Sequence, residues 1–363
     1  MMKKILVMEP NPFHGEVVPG IVHYLKQLEY TVTVLVRHEL VNEGIKDILP
    51  VGCEVIEFSD ETIASILCDE NVSEYDYLFM TSYEYLEDGS LFPFLNKFPD
   101  GVKTKYGVIG IYHSNYLINL FDDRARMGEG RIFCLSDYQR LSDRMHRIVP
   151  QYFGDYYKVK DKKDHVDIAM VGNMYDSKTL SEAYFALPSA YKRKLRFYHV
   201  GGNGRGKCSA KIQIIKKMIL KLLTIFNRSY KEKVFDKTVI HTGRLKFPEM
   251  LDILAKMDYI LFPIDTHSYK GTHYLSVSTS GSRQLALGLG VPTIINADVA
   301  KLYGFSDKDS IIYKDGDMKS ALVTAVNCSR YNDMCDHMNK KSQQVEKESI
   351  EILSNVLESL MAI

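Results

Sequence analysis

The sequence has no net charge, no long apolar run and no grouped cysteines. Its 46 basic and 46 acidic side chains cancel, so no overall positive field is available to hold nucleic acid. A phosphate-bearing ligand would therefore need a local site. No apolar run approaches the roughly eighteen residues that a membrane-spanning helix needs. The first apolar run begins at Ile5 and stops at Glu9 and Pro10, too short for a signal-peptide core. We therefore expect a cytoplasmic protein with no nucleic-acid partner.

The cysteines contain no C-x-x-C pair, and each lies in or beside an apolar stretch. This pattern favours reduced thiols in a core over disulfides or metal ligands. The six are Cys53, Cys68, Cys134, Cys208, Cys328 and Cys335. We expect no metal site.

Short β-branched runs alternate with longer helical patterns along the whole chain, and this alternation is typical of parallel sheets with crossover helices. In the first half, strands are predicted at 5–8, 31–36, 55–58, 77–80, 108–112 and 131–135. In the second half, they are predicted at 167–171, 196–200, 238–241, 259–262, 293–295 and 311–313. The second-half helices are predicted at 180–185, 210–226, 248–256, 283–289 and 318–327.

A polar, lysine-rich stretch without periodicity at 151–165 separates the two halves, and we place a domain boundary there. The fold class is therefore α/β, with two facing, doubly wound, Rossmann-like domains. The predicted domains are 1–155 and 165–340, followed by a C-terminal helix at 341–363 that crosses back to the first domain. Ligands of such sheets bind beyond the carboxyl ends of the strands. The candidate functional residues should therefore lie in the loops that follow strands.

The loop after the first strand contains His14, Gly15 and Glu16 ahead of an amphipathic helix. His14 and Glu16 are each able to take a proton from a hydroxyl nucleophile, a step that needs a base within about 3 Å of the proton. The alternative is that Glu16 is an acid favoured by the dipole of a first helical turn and that His14 is a surface loop residue. Both possibilities stay open at this point.

Two glycine-containing loops follow strands in the second half. Gly172 follows the strand 167–171, and Lys178 is close enough in sequence to reach an anion there. Gly202 belongs to Val200-Gly-Gly-Asn-Gly-Arg-Gly, where the missing side chains would let backbone amides approach a ligand closely. This glycine pattern lacks the acid about twenty residues later that a dinucleotide site needs. The two loops therefore indicate phosphate binding rather than a dinucleotide site.

A long polar loop and a hydroxyl-rich stretch follow the strand 259–262. Hydroxyl groups and free amides at a helix start, together with nearby cations, suit a diphosphate without a metal ion. The candidate residues are Ser278, Thr279, Ser280, Gly281 and Ser282, with Lys270 or Arg244 as cations. The alternative is an N-cap followed by a serine-rich turn.

This organisation resembles the GT-B glycosyltransferases, in particular polysaccharide-assembly members of the group 1 families. Gly15-Glu-Val-Val-Pro-Gly is similar to a Gly-His-Val-x-Pro turn of the family, with Glu16 where many inverting members have the catalytic histidine. His113, after the strand 108–112, is similar to the histidine that contacts the transferred sugar in retaining members. The resemblance therefore implies an acceptor-side first domain and a nucleotide-sugar-binding second domain.

Other motifs of the family are matched only in part. Gly172 and Lys178 resemble its donor-phosphate pair, but the accompanying arginine is absent. Leu285 stands where the family has the glutamate that binds the ribose. Thr279-Ser-Gly-Ser resembles the variant in which hydroxyls and amides hold the diphosphate. The resemblance thus supports a phosphate site more than a ribose site.

These observations predict a metal-independent glycosyltransferase of hexosyltransferase type. It would move a sugar from a nucleoside-diphosphate-sugar to a hydroxyl of a glycan or lipid-linked glycan, in cell-surface polysaccharide assembly, and no cofactor beyond the donor is expected. The basic, amphipathic stretch 207–233 would suit contact with an anionic membrane surface, or it is a surface helix with its apolar face in the core. Two other functions stay open: a nucleotide-sugar 2-epimerase on the same fold, and a non-catalytic nucleotide-sugar-binding partner of a glycosyltransferase complex.

Overall fold

In the computed structural model, the chain forms two compact units. The first unit comprises residues 1–155, 276–284 and 341–363, and the second comprises residues 156–275 and 285–340. The structure describes residues 3–68, 70–83, 102–113, 130–139, 145–154, 164–172, 177–201, 228–264, 266, 269–276 and 279–362.

The first unit contains a parallel sheet with the strand order β3-β2-β1-β4-β5-β6-β7. Its strands are β1 Lys4–Glu9, β2 Thr31–Arg37, β3 Glu54–Phe58, β4 Tyr77–Met80, β5 Val108–Tyr112, β6 Ile132–Cys134 and β7 His146–Arg147. The helices between them include α1 Val18–Gln27, α2 His38–Asn42 and α3 Ile63–Cys68, and a 3-10 turn at Gly15–Val17 precedes α1. The central strand β1 is apolar and buried from Ile5 to Met8, as expected where both faces of a parallel sheet are covered.

The second unit contains a parallel sheet with the order β10-β9-β8-β11-β12-β13. Its strands are β8 Val166–Val171, β9 Leu195–Val200, β10 Ile240–Gly243, β11 Tyr259–Leu261, β12 Thr293–Asn296 and β13 Ser310–Tyr313. The described helices from residue 177 onward are α4 Ser177–Phe185, α5 Ser189–Lys192, α6 Arg228–Asp236, α7 Phe247–Leu254, α8 Tyr269–Ser276, α9 Gly281–Gly288, α10 Ala297–Tyr303, α11 Met318–Asn327 and α12 Tyr331–Met361. Of these, α8, α9 and α12 have residues in both units. In each sheet the first strand pairs with both the second and the fourth, which creates the switch point where such sheets bind ligands.

The C-terminal part of α12, from residue 341 onward, packs in the first unit. Its apolar side includes Leu353, Val356 and Leu360, which are buried. The Tyr77 hydroxyl at the start of β4 donates to the carbonyl of Leu357 over 2.7 Å. The predicted α/β fold class with two doubly wound sheets is therefore confirmed.

Helix α1 packs directly on backbone at Gly20. A Cβ built on Gly20 would lie 2.6 Å from the carbonyl carbon of Pro150, so no side chain fits there. This close approach accounts for a glycine in the interior of a helix, where glycine costs about 1 kcal/mol relative to alanine. It also holds α1 against the segment that follows β7.

The structure differs from the sequence-based prediction in several places. The stretch expected to be a long polar loop contains α8, whose glycine, threonine and serine residues have low helix propensity and hide the helix from sequence analysis. Residues 276–284 belong to the first unit, although they fall inside the predicted second domain. Strand β7 was not predicted, because two residues form no recognisable pattern. The predicted helix 210–226 and most of the stretch 207–233 lie outside the described residues.

Candidate functional site

A buried network of polar side chains lies at the carboxyl ends of β1 and β4. The Glu9 carboxylate at the end of β1 is fully buried. Its Oε2 accepts hydrogen bonds from the hydroxyls of Thr81 at 2.7 Å and Ser82 at 2.9 Å, and its Oε1 accepts one from the Asn11 amide at 2.7 Å. Burial raises the pKa of Glu9 well above its usual range, although these hydrogen bonds oppose the shift. The network therefore sits at the switch point of the first sheet.

His14 and His113 stack on each other beside this network. Their ring centroids are 4.4 Å apart and their planes differ by 13°. His113 follows β5, and its Nε2 lies 2.7 Å from the carbonyl oxygen of Thr81, so this nitrogen carries a hydrogen. Burial lowers the pKa of His14 well below its ordinary value, and His113 adds to the shift. His14 is therefore neutral at neutral pH.

Glu16 lies in the 3-10 turn before α1, and its carboxylate faces the first residue of α9. A Cβ built on Gly281 would lie 3.0 Å from Oε1 of Glu16. Burial raises the pKa of Glu16, while its own backbone amide and His113 oppose the shift. Because its pKa is raised, this carboxylate is a stronger base than an ordinary glutamate and is a candidate general base.

The segment 279–283 is anchored in the first unit through the loop that follows β6. The Thr279 hydroxyl lies 2.8 Å from that of Ser136, and it donates to Gln139 Oε1 over 3.1 Å. The buried Arg283 guanidinium donates to the carbonyl of Leu135 over 2.8 Å and to the Ser136 hydroxyl over 3.1 Å. Ser280 Oγ accepts a hydrogen bond from the Ser282 amide over 3.3 Å. Thr279 and Ser280 thus shape the turn, which leaves the start of α9 next to Glu16.

In the second unit, Gly172 directly follows β8 and lies in the left-handed region, with a φ of 68°. Its amide donates to the carbonyl of Val200 over 2.9 Å, and its carbonyl accepts a hydrogen bond from His199 Nε2 over 2.7 Å. His199 Nδ1 in turn lies 3.1 Å from Nδ1 of His241. The neighbouring strand ends therefore hold the turn in a conformation that favours glycine.

The structure brings together some of the predicted site residues and not others. His14, Glu16, His113 and Gly281 meet at one edge of the first sheet. Lys178, on α4, and Arg244, after β10, are exposed residues of the second unit, and Lys270 lies in α8. Gly202 and Ser278 lie outside the described residues.

Sequence analysis missed Glu9, Ser82 and Asn11. The only signal was the acid at the end of an otherwise apolar strand, because a charged residue beside buried ones needs partners. Those partners are contributed by the end of β4, more than seventy positions further along the chain.

In the described part of the chain, no three His, Cys, Asp or Glu side chains form a group able to hold a metal ion. Within the same residues, no helix is long and apolar enough to cross a bilayer.

Comparison with known proteins identifies the fold. No protein-family model matches the sequence, and no curated protein matches it. Among solved structures, the chain is similar to Anabaena Alr3699/HepE in complex with UDP-glucose, with a TM-score of 0.60 and 11% identity over 99% of this chain and 100% of that one.

A second similar structure is AviGT4, a glycosyltransferase involved in avilamycin A biosynthesis, with a TM-score of 0.60 and 13% identity over 100% of this chain and 99% of that one. A third is an E. coli trehalose-6-phosphate structure bound with UDP-2-fluoro glucose, with a TM-score of 0.53 and 12% identity over 98% and 99% of the two chains. The chain therefore has the GT-B glycosyltransferase fold, as its sequence motifs indicated.

Proposed function

We propose that this protein is a glycosyltransferase that transfers a sugar from a nucleoside-diphosphate-sugar to a hydroxyl acceptor, without a metal ion. The observation that carries the proposal is that Glu16, the His14–His113 stack and the start of α9 lie together at the switch point of the first sheet. Together they provide a base, polar contacts for a sugar and a helix start that favours an anion. Alr3699/HepE, on the same fold, has been solved with UDP-glucose, which supports a UDP-sugar donor.

In this proposal Glu16 is the general base that takes the proton of the acceptor hydroxyl. Its raised pKa makes it a stronger base than an ordinary glutamate. His14 is the weaker base, because its pKa is lowered well below the ordinary value. His113 contacts the transferred sugar, as the resemblance to retaining members implies.

The leaving diphosphate needs compensation for its growing negative charge. We propose that the start of α9 supplies it through the amide of Gly281 and the hydroxyl of Ser282, because hydrogen-bond donors aimed at developing charge stabilise a transition state. The Gly172 turn with Lys178, and the cations Lys270 and Arg244, are the further proposed contacts of the donor phosphates. A glycan or lipid-linked glycan is the proposed acceptor, in cell-surface polysaccharide assembly, with membrane contact through 207–233.

The test is product analysis with the full chain. The protein is incubated with UDP-glucose, UDP-N-acetylglucosamine and their GDP counterparts, with and without simple glycosides as acceptors. Release of the free nucleoside diphosphate together with a new glycoside, or with free sugar when water is the acceptor, supports the proposal. A nucleotide sugar whose configuration has changed, with no diphosphate released, would indicate an epimerase instead. Binding of a donor without any change would indicate a non-catalytic partner.

A further inference from the structure

We propose that Asn11, Ser82 and Glu9 are positioning residues that hold His14 as the neutral tautomer with its hydrogen on Nε2. In that tautomer His14 donates a hydrogen bond to an oxygen of the bound substrate and does not remove a proton. This inference rests on the proposed function for its substrate, but the tautomer itself is a property of the protein alone.

The orientation of the Asn11 side-chain amide determines which nitrogen of His14 carries the hydrogen. The backbone amide of Phe13 donates to Asn11 Oδ1 over 2.8 Å, and because a backbone amide only donates, this contact identifies the oxygen. The other side-chain atom of Asn11 is therefore Nδ2, which lies 3.3 Å from Nδ1 of His14. An amide nitrogen has hydrogens and no lone pair to offer, so Nδ1 of His14 must be the acceptor. A neutral imidazole that accepts at Nδ1 carries its hydrogen on Nε2.

Ser82 approaches the same nitrogen of His14. Its Oγ lies 3.2 Å from His14 Nδ1 and 2.9 Å from Oε2 of Glu9. Ser82 Oγ is also 3.4 Å from Nε2 of His113, but that nitrogen already donates to the Thr81 carbonyl over 2.7 Å. Among the described residues, the acceptors left for the hydrogen of Ser82 are therefore Glu9 and His14.

The protonation of Glu9 decides which acceptor Ser82 serves. Glu9 is fully buried, and among the described residues its hydrogen-bond partners are the backbone amide of Asn11 and the hydroxyls of Thr81 and Ser82, none of which is a cation. Such burial disfavours a carboxylate and favours the neutral acid. A carboxylate at Glu9 accepts the hydrogen of Ser82, but a proton on Oε2 reverses this contact: Glu9 then donates to Ser82 Oγ, and Ser82 donates to Nδ1 of His14. Asn11 Nδ2 and Ser82 Oγ then both donate hydrogen bonds to Nδ1 of His14.

His14 is thus held in place as a neutral hydrogen-bond donor through its Nε2 hydrogen. The low pKa of His14 keeps it from gaining a second proton, so its hydrogen-bonding pattern stays the same over the neutral pH range. Removal of a single preorganised donor to developing charge costs about 10²- to 10³-fold in rate. We expect a loss of this size when the Nε2 hydrogen of His14 is taken away.

The direct test is the tautomer of His14 in the unmodified full chain. The protein is labelled with ¹⁵N-histidine, and the ring nitrogens are correlated with their carbon-bound hydrogens by long-range NMR, with His14 assigned by the loss of its signals in His14→Phe. The inference predicts an unprotonated Nδ1 and a protonated Nε2 at neutral pH. The opposite pattern, or a doubly protonated ring, would overturn it.

A second test replaces the hydrogen-bond donor of Asn11 that faces His14 with an acceptor. In Asn11→Asp, Oδ1 still accepts from the Phe13 amide, but the atom facing His14 becomes an oxygen that needs a hydrogen from Nδ1. The variant should therefore move the His14 hydrogen to Nδ1 and lower the rate of UDP release from the donor about 10²- to 10³-fold. Asn42→Asp, at an exposed position of α2 in the same unit, adds the same charge and should keep the wild-type rate. A rate of Asn11→Asp that equals or exceeds that of the wild type would mean that His14 acts as a base.

The role of Glu9 is checked by a matched pair of variants. Glu9→Gln retains a donor toward Ser82, as a protonated Glu9 does, whereas Glu9→Leu removes it. The His14 tautomer should persist in Glu9→Gln and become mixed in Glu9→Leu; the same mixed tautomer in both variants would exclude a role for the Glu9 proton. Should no nucleotide sugar be bound or turned over, the proposed function fails, but the NMR result still decides the tautomer.

Discussion

Replacement of Glu16 by glutamine tests the proposed chemistry at the group that performs it. Glutamine has nearly the shape of glutamate and fits against Gly281, but it cannot take the proton from the hydroxyl of the acceptor substrate. General-base catalysis contributes about 10²- to 10⁴-fold to a rate. At about 1.36 kcal/mol for each tenfold change, this corresponds to about 2.7 to 5.4 kcal/mol of transition-state stabilisation. We therefore expect kcat/KM of Glu16→Gln to fall by that factor.

The pH dependence separates a base from a group that only binds substrate. Burial raises the pKa of Glu16, so activity requires loss of a proton that is held more tightly than by an ordinary glutamate. The rate of the wild type should rise with pH through the pKa of Glu16, and this acid limb should disappear in Glu16→Gln. The assay is release of the nucleoside diphosphate from the donor, followed as initial rates across the pH range.

The matched control is Glu61→Gln. Glu61 is an exposed acid of the same unit, so its variant removes one charge without touching the site and should retain both the rate and the acid limb. A Glu16→Gln enzyme that works within about threefold of the wild type, with the acid limb intact, would refute the role of Glu16 as base.

Three further predictions concern stability and donor binding. Gly20→Ala should lower the free energy of unfolding by about 1 to 3 kcal/mol, because its Cβ would lie 2.6 Å from the carbonyl carbon of Pro150; urea unfolding measures this, and an unchanged midpoint would contradict the close packing. Burial raises the pKa of Glu9 in the folded state. The contribution of Glu9 to the free energy of unfolding should therefore be greatest below its pKa in the unfolded chain, and it should be lost as pH rises through its pKa in the folded protein. Thermal unfolding of Glu9→Gln across pH should lack this fall, and parallel profiles of the two proteins would count against it. His199→Phe removes the hydrogen bond to the Gly172 carbonyl and should weaken donor binding by up to about tenfold, as measured by titration calorimetry; an equal Kd would show that the turn does not depend on His199.

The fold was accessible to sequence analysis because the local patterns and the final structure agree. Strand β1 is predicted from an apolar run that is buried in the sheet, and helix α11 has the same bounds in the structure as in its pattern. Helix α8 was missed, because its glycine, threonine and serine residues have low helix propensity.

The candidate site was only partly accessible, for a reason of topology. His14, Glu16 and His113 are polar residues in the loops that follow predicted strands, and the general position of ligand sites in open sheets identifies them. Glu9 and Ser82 form their hydrogen bond only because β1 and β4 are paired, and one sequence does not reveal which strands are neighbours. The contact between Ser136 and Thr279, 143 positions apart, is hidden for the same reason.

The central claim is that this chain binds a nucleoside-diphosphate-sugar as its donor, and thermal unfolding with a panel of nucleotides tests it most directly. UDP, GDP, CMP and their sugars are compared with and without EDTA, each at saturating concentration. We predict that one diphosphate family raises the unfolding temperature, that its sugar does so as well, and that EDTA leaves the shift unchanged. The absence of a shift from every nucleotide would contradict the claim, and a shift abolished by EDTA would contradict its metal-independent form.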